Sequence, residues 1–223
     1  MFNISDEALS LGLNGAYFTI TELENRDSDP EFSRIKSDAL SEIKAGLSPE
    51  GIQKDETLRG FRNLHESVGV SDYQVASPEN LLKFVLKRGD LPHVNLLVDI
   101  YNLVSVETRL ALGAHDDDKV SGDVHLRMTS GGEKYVPLGS NTAKTVDENL
   151  YSYMDDENDV ICFLEVMQAE KTKVTTDTTD CFYIVQGNSN VSDSHLKVAT
   201  DRVITLTKRF CGGEEDMLHA PWL

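Results

Sequence analysis

The sequence predicts an α+β fold, in which an N-terminal helical layer packs on a mostly antiparallel sheet and a C-terminal helix closes the structure. Three observations support this prediction. Segments before residue 90 carry apolar residues at helical spacing. Segments after residue 120 are short and apolar, and turn signals separate them. A long amphipathic stretch follows Ser192. Helices and strands are therefore segregated along the chain, which is typical of the α+β class.

Start and stop signals delimit three helices in the first part of the chain. Asp29-Pro30 and Ser77-Pro78 each combine a capping residue with a proline at the first helical position. Glycines at positions 46, 69 and 89 follow the last apolar residue of each pattern. These signals predict helices over about 30–46, 55–68 and 77–88.

The stretch from Leu91 to Asp118 is the most informative part of the sequence. Its apolar helical run contains three polar residues, Asn95, Asp99 and Asn102, at spacings of four and three. Polar groups beside a buried stripe are unfavourable unless they find partners. They therefore form either a structural hydrogen-bond network or part of a binding cavity. A glycine-containing turn ending in His115 and three aspartates is predicted to follow.

Strands are predicted at 16–20, 124–128, 160–164 and 181–185, from their β-forming residues and alternation. The acidic stretch 146–159 is predicted to be a solvent-facing excursion or hairpin. The closing helix is predicted to stop at Gly212-Gly213, with residues 212–223 as a loosely held tail. No repeat or long linker divides residues 1–223, which predicts a single domain.

The composition limits the kinds of partner. The chain has 223 residues, a net charge of −17, 39% hydrophobic residues and a mean hydropathy of −0.32. No apolar run approaches the roughly 20 residues that span a bilayer, and the N-terminus lacks a basic leader segment, so we expect no membrane partner and a cytoplasmic location. Three cysteines do not predict a disulfide framework. Such an acidic chain restricts nucleic-acid binding to a local, weak and salt-sensitive contact.

The standard catalytic and cofactor motifs are missing. The sequence has no GxGxxG before a helix, no GxxxxGK[ST], no HExxH and no GxSxG. The histidines have no metal-ligand spacing, and the aspartates beside His115 are contiguous on a predicted turn. We therefore expect neither a cofactor nor a metal ion.

Several segments resemble one known family. VNLLVDIYNLVS at 94–105 resembles the helix of the editing module, the B3/B4 domain, of the phenylalanyl-tRNA synthetase β subunit, which has a pattern like NxVVDxTNxV. The resemblance is strongest over 61–187, and it extends to stand-alone proteins made of this domain. Its supporting segments are FRNLHESVG (61–69), SPENLLKFVLKRGDLPHVN (77–95), DDDKVSGDVHLRMTSGGEKYVPLG (116–139) and EKTKVTTDT (170–178).

The resemblance implies a B3/B4-type fold and a free-standing relative of the editing module. Such a protein would bind the aminoacylated 3′ end of tRNA and hydrolyse mischarged aminoacyl-tRNA in trans, without the ligase core. The resemblance implies a role for Asn102, Asp99 and His115 in ordering water and substrate. Lys171, Lys173 and Arg109 would meet phosphate or ribose oxygens. Thr172 would contact the aminoacyl group, and Gln168 matches the stand-alone branch.

The chain departs from the family pattern at several positions. Tyr101 replaces the family threonine, Gly113 stands at the ungapped position of the family histidine, and Ile184 stands near that of a family glutamate. Glu165 is either an acid in the cavity or a solvent-facing strand residue. These departures leave a second interpretation open, in which the domain is a non-catalytic binding module for an aminoacyl-like ligand or a protein.

Overall fold

The fold is described from a computed structural model, which covers residues 1–71 and 74–223. Its helices are α1 (Asp6–Ser10), α2 (Pro30–Gly46), α3 (Pro49–Lys54), α4 (Glu56–Ser67), α5 (Ser77–Arg88), α6 (Leu96–Thr108) and α7 (Asp193–Cys211). Its strands are β1 (Phe2–Ile4), β2 (Asn14–Thr21), β3 (Ala111–Asp116), β4 (Val124–Met128), β5 (Lys134–Tyr135), β6 (Lys144–Thr145), β7 (Tyr151–Met154), β8 (Val160–Phe163), β9 (Met167–Gln168), β10 (Cys181–Gly187) and β11 (Glu214–His219).

The strands form two main sheets and a small hairpin. A five-stranded sheet has the order β1-β4-β7-β8-β9, and a four-stranded sheet has the order β11-β2-β10-β3. All pairs are antiparallel except β1 with β4. β5 and β6 pair only with each other within the described residues. The predicted α+β class with mostly antiparallel sheets is thus confirmed.

The four-stranded sheet separates two hydrophobic cores. On β10, Cys181, Tyr183 and Val185 pack in a core shared with the helices. Phe182 and Ile184, on the opposite face of the same strand, pack in a core shared with the five-stranded sheet. This follows from the two-residue alternation of side chains along a strand. The layers are therefore helices, four-stranded sheet and five-stranded sheet.

Helix α6 lies at the centre of the helical layer. Every residue from Leu96 to Val106 is buried, and the helix contacts α5, α7 and β3. A helix that is apolar nearly all round is buried on all sides. Its first turn is fixed by Asn95, whose side chain accepts a hydrogen bond from Val98 N at 3.1 Å. Polar residues on this helix therefore face protein or an internal cavity.

One close approach between layers depends on a glycine. Gly60 in α4 lies against Asn188, and a Cβ on Gly60 would stand 1.9 Å from Asn188 Oδ1. Asn188 donates a hydrogen bond to the carbonyl of Thr57 at 3.0 Å. The side-chain amide therefore holds the end of β10 against α4, in space that only glycine leaves open.

The structure differs from the sequence-based prediction in three segments. Residues 111–116, predicted as a turn, form edge strand β3, whose backbone pairs with β10. The acidic stretch 146–159, predicted as a solvent-facing excursion or hairpin, contains β7, which forms a hairpin with β8 but whose four residues are all buried. The tail predicted to be loose contains β11, which pairs with β2 over Glu214–His219. Pairing with the edge of a sheet gives hydrogen-bond partners to the backbone N–H and C=O groups of these segments, and composition alone does not reveal such pairing.

Candidate functional site

A cavity of about 370 Å³ lies between the two sheets, beside α6. This volume is within the range of about 300–1,000 Å³ that is usual for small-molecule sites. The cavity opens where β3 and β9, the edge strands of their sheets, face each other. Its lining residues include Ser77, Tyr101, Asn102, Gly113, His115, Leu138, Tyr153, Cys162, Glu165, Gln168, Ile184 and Gln186.

Asn102 is the polar side chain that α6 contributes to the cavity. It is 9% exposed, and among the described residues its amide makes no hydrogen bond. An amide offers two donor hydrogens and one acceptor oxygen. The amide atoms reach the space of the cavity, where water or a ligand can pair with them. Asn102 is therefore available to a molecule in the cavity.

His115 enters the cavity from β3 and is uncharged at neutral pH. Burial lowers the pKa of His115 to about 3. Its Nδ1 lies 2.8 Å from Thr172 Oγ1, and Thr172 is itself buried behind the ring. Gln168 stands beside it, donating from Nε2 to the carbonyl of Ala114 at 2.7 Å. His115 and Gln168 thus line the cavity together. Thr172 does not line the cavity, and its hydroxyl contacts the His115 ring.

Glu165 lies at the inner end of the cavity and is 7% exposed. Its Oε1 accepts a hydrogen bond from His65 Nε2 at 2.5 Å. Its Oε2 accepts from Tyr151 Oη at 2.6 Å and from Gln186 Nε2 at 2.9 Å. Since an ionised carboxylate has about four acceptor positions, one remains for a molecule in the cavity. Of the two alternatives left open by the sequence, the structure shows the acid in the cavity.

The network continues through His65 and Gln186. Both ring nitrogens of His65 face acceptors, since Nδ1 lies 3.3 Å from the carbonyl of Gln74. Burial alone would lower the pKa of His65, but the hydrogen bond and charge of Glu165 outweigh it, and the pKa is raised. Gln186 Oε1 accepts from Tyr153 Oη at 2.5 Å. The inner end of the cavity is therefore the buried carboxyl group of Glu165, hydrogen-bonded to His65 and to two neutral donors.

The turn that carries Glu165 has an unusual backbone. Leu164 has φ 49°, a left-handed conformation that costs a non-glycine residue about 1–3 kcal/mol. Its side chain is fully buried in the core between the sheets, which offsets part of this cost. Ser77 N donates to the carbonyl of Glu165 at 3.2 Å. The turn is thus fixed by both the core and the start of α5.

Asp99 lies on α6 but does not line this cavity. It lines a separate polar cavity of about 400 Å³ between α2 and the start of α6. Its Oδ2 accepts from Lys36 Nζ and from His93 Nδ1, both at 2.9 Å, and its Oδ1 accepts from Val94 N at 3.2 Å. The carboxylate of Asp99 therefore holds three segments together, and it does not line the cavity that contains Asn102.

The three predicted basic contacts are also dispersed. Arg109 follows α6 in a left-handed conformation, with Nε 3.7 Å from Asp55 Oδ2. Lys171 Nζ is paired with Asp155 at 2.9 Å and with Asp159 at 2.6 Å, and Lys173 pairs with Glu170. None of these cations lines the cavity. The structure thus brings together Asn102, His115, Gln168 and Glu165 from the predicted set.

Sequence reasoning missed the residues that complete the site: His65, Tyr151, Tyr153 and Gln186. His65 carried a signal, because it falls within a predicted amphipathic helix on the same face as Phe61 and Leu64. Gln186 and the two tyrosines had none, since polar groups in apolar strands are common. Their meeting depends on the packing of one sheet on the other.

Two further observations concern the described part of the chain. Within residues 1–71 and 74–223, no group of three His, Cys, Asp or Glu side chains is placed to hold a metal ion. In the same residues, no helix has both the length and the apolar character required to cross a membrane.

Together, the fold and the cavity define an α+β domain with a ligand-sized site between two packed sheets. The chain belongs to the B3/4 domain family, whose characteristic sequence matches residues 68–212, more than half of the chain. This confirms the resemblance drawn from the sequence.

Relatives of known sequence are phenylalanine–tRNA ligase β subunits. That of Mycoplasmoides gallisepticum is 26% identical over 167 residues, covering 75% of this chain and 18% of that protein. That of Aromatoleum aromaticum is 31% identical over 101 residues, covering 45% of this chain and 12% of that protein. This chain therefore matches less than a fifth of the length of these relatives.

The fold has a counterpart among solved structures. An N-terminal fragment of the phenylalanyl-tRNA synthetase β subunit from Pyrococcus horikoshii superposes with a TM-score of 0.52 and 15% identity. The match covers 96% of this chain and 50% of that one. At this level of identity the likeness concerns the fold.

Proposed function

We propose that this domain binds the aminoacylated 3′ end of tRNA in the cavity between its sheets and hydrolyses mischarged aminoacyl-tRNA in trans. The observation that carries the proposal is the amide of Asn102, which makes no hydrogen bond with the described residues and lines one cavity with His115, Gln168 and Glu165. Membership of the B3/4 domain family and the similarity to phenylalanine–tRNA ligase β subunits support the choice of substrate.

The proposed reaction needs little chemical machinery. Water attacks the ester carbonyl carbon, the bond from that carbon to the ribose oxygen breaks, and the ribose oxygen takes a proton. Because an aminoacyl ester is already activated, placing water and ester correctly supplies much of the rate. Asn102 donates to the carbonyl oxygen as negative charge develops there. The neutral ring of His115 and the free acceptor of Gln168 orient the water.

In this proposal, the three basic residues predicted from the sequence make no contact with tRNA phosphates. Lys171 and Lys173 are paired with acids, and Arg109 lies near Asp55, so none of them is free to neutralise a phosphate. Asp99 is assigned no catalytic part, because Lys36 and His93 already occupy it. The tRNA contact is expected to be confined to the surface around the cavity mouth.

The proposal is tested by incubating the protein with a panel of mischarged tRNAs and following ester loss with and without EDTA. We expect hydrolysis of at least one member, insensitive to EDTA and reduced at least about 100-fold in Asn102→Ala. Lys87→Ala is the matched control, because Lys87 is exposed on α5, ten residues or about 15 Å along the helix from Ser77. Equal rates in wild type and Asn102→Ala would contradict the proposal.

The second candidate function is a non-catalytic binding module. It is favoured by the low pKa of His115, about 3 because of burial, which makes this ring a poor base at neutral pH. The two functions give different results with the same tRNA panel. Binding of a non-hydrolysable aminoacyl-adenosine without ester loss on any tRNA would support the module. No binding shift at about 50 mM salt, where electrostatic attraction is strong, would exclude tRNA as its ligand.

A further inference from the structure

A second groove lies on the other side of the strand pairing that borders the cavity. It has a volume of about 550 Å³, and its floor is apolar, formed by Tyr135, Val136, Val160 and Ala169. The two hollows are separated by the pairing of residues 136–138 with 168–170. Pro137 forms a bridge with Ala169, and Leu138 N donates to the carbonyl of Gln168 at 2.8 Å.

The residues of this pairing are divided between the two hollows. Leu138 and Gln168 line the cavity, whereas Val136 and Ala169 line the groove. Leu138 is 52% exposed and stands at the mouth of the cavity. A molecule that leaves the cavity past Leu138 therefore meets the groove next. The groove therefore lies directly beside the candidate site, on the other side of this pairing.

The rim of the groove has one cation without an ion pair among the described residues. Of its acids, Glu170 pairs with Lys173, and Asp159 shares Lys171 with Asp155. Among the described residues, Lys134 makes no ion pair and is exposed on the hairpin. Lys144, on the facing strand of that hairpin, is likewise exposed and has no acidic partner in the described part. Two exposed lysines on one hairpin are therefore available to contact a phosphate, on an otherwise acidic protein.

The groove also offers groups that suit an unpaired base. Tyr135 packs on Phe163, with ring centroids 6.1 Å apart, and lines the groove. Asn141 and Ser140 stand on the rim, and Asn141 is exposed. Proteins hold single-stranded nucleic acid with aromatic rings, on which the bases stack, and with cations that contact the phosphate backbone.

We propose that this groove binds the unpaired nucleotides that precede the acylated terminal adenosine, so that the strand crosses the hairpin at Leu138 and enters the cavity. This inference rests on the proposed function and adds a binding site to it. A base stacks on Tyr135, Asn141 pairs with the edge of that base, and Lys134 meets the phosphate that joins it to the next nucleotide.

The test compares two non-hydrolysable probes that differ only in length. One is adenosine carrying an aminoacyl group in amide linkage at its 3′ position, and the other is the same nucleoside extended by two cytidylates. Binding of each is measured by calorimetry across a panel of aminoacyl groups and at several salt concentrations. We expect the trinucleotide to bind at least about tenfold more tightly than the nucleoside, because it adds stacking and phosphate contacts.

Substitutions in the groove separate its contribution from that of the cavity. Lys134→Ala and Asn141→Ala, both at exposed positions, are expected to remove most of the trinucleotide advantage and leave nucleoside binding unchanged. Lys134→Ala should also reduce the salt slope by about 0.7, the value for one single-strand phosphate contact. Lys87→Ala, which removes an exposed cation on α5, should change neither probe.

The outcomes distinguish this inference from the function on which it rests. Nucleoside binding with a trinucleotide advantage that survives Lys134→Ala and Asn141→Ala overturns the groove alone. Equal affinity for the two probes overturns it as well. Failure of both probes to bind the wild-type protein overturns the proposed function and the groove with it.

Discussion

His65 and Glu165 form a buried hydrogen-bonded pair, with His65 Nε2 2.5 Å from Glu165 Oε1. The pair joins α4 to the turn after β8, although the two residues are one hundred positions apart in the sequence. Tyr151 and Gln186 complete the shell of the carboxylate. The inner end of the cavity is therefore built from the helical layer and both sheets.

The pair predicts a defined pH dependence of stability. The pKa of His65 is raised by Glu165 in the folded state, so its contribution is fully present below the unfolded pKa of about 6.5 and is lost as pH rises through the folded value. His65→Gln leaves Glu165 without its cation and should cost about 3 kcal/mol at pH 5.5. The cost should be smaller at pH 8.5, as measured by urea unfolding.

His115 predicts the opposite dependence and serves as the matched comparison. Burial lowers the pKa of His115 to about 3, so between about pH 6.5 and 3 the unfolded chain binds a proton that the folded protein does not. The ring therefore opposes folding in acid. The stability difference between wild type and His115→Gln should shrink as pH falls from 8 to 5.5. Parallel pH trends in the His65 and His115 variants would contradict this assignment of charges.

Asn102 and Asp99 are expected to separate function from stability. Asn102 makes no hydrogen bond with the described residues, so Asn102→Ala should change the free energy of unfolding by less than about 1 kcal/mol. Asp99→Ala removes the partner of Lys36, which is 12% exposed, and should cost about 3 kcal/mol. Ligand affinity should fall more in Asn102→Ala than in Asp99→Ala. An Asn102→Ala variant that is as unstable as Asp99→Ala would show that the amide has a structural role.

Gly113 offers a way to close the cavity without disturbing the fold. It lines the cavity on β3, its φ is not positive, and a Cβ added there would meet no atom within 4 Å. Gly113→Val should therefore fold with near-wild-type stability, since valine is favoured in strands. Its methyl groups occupy the site, and ligand affinity should fall at least tenfold. Unchanged affinity, measured by calorimetry, would mean that the ligand binds elsewhere.

The cavity cysteine is expected to be unreactive. Burial raises the pKa of Cys162 to about 12, and its Sγ donates to the carbonyl of Leu164 at 3.2 Å. At pH 7.5 only ~1 thiol in 30,000 is then ionised. Iodoacetamide should label Cys162 slowly, with a rate that rises about tenfold per pH unit, and rapidly after unfolding in urea. Fast labelling of the native protein, located by mass spectrometry, would contradict this.

The resemblance directed attention to positions that the structure brings together in the cavity. Tyr101, Gly113 and Ile184, three positions at which the chain departs from the family pattern, all line the cavity. The positions are therefore retained while their side chains differ. The family pattern says little about which basic residues are free to bind a ligand. A lysine in a matched segment can already be paired with an acid elsewhere in the chain, as Lys171 is with Asp155.

The sequence alone determined the five longer helices, the order of helical and strand-rich segments, and the family, but not the short helices α1 and α3. These features depend on local signals, such as the Asp29 cap and the two-residue alternation of Val124 to Met128. Only the tertiary structure decided which polar residues meet. Asn102 and Asp99 are three positions apart on α6, yet Asn102 lines the cavity between the sheets and Asp99 lines the cavity beside α2, where it pairs with Lys36. Burial and pairing of polar groups depend on contacts between residues far apart in sequence, which no local pattern records.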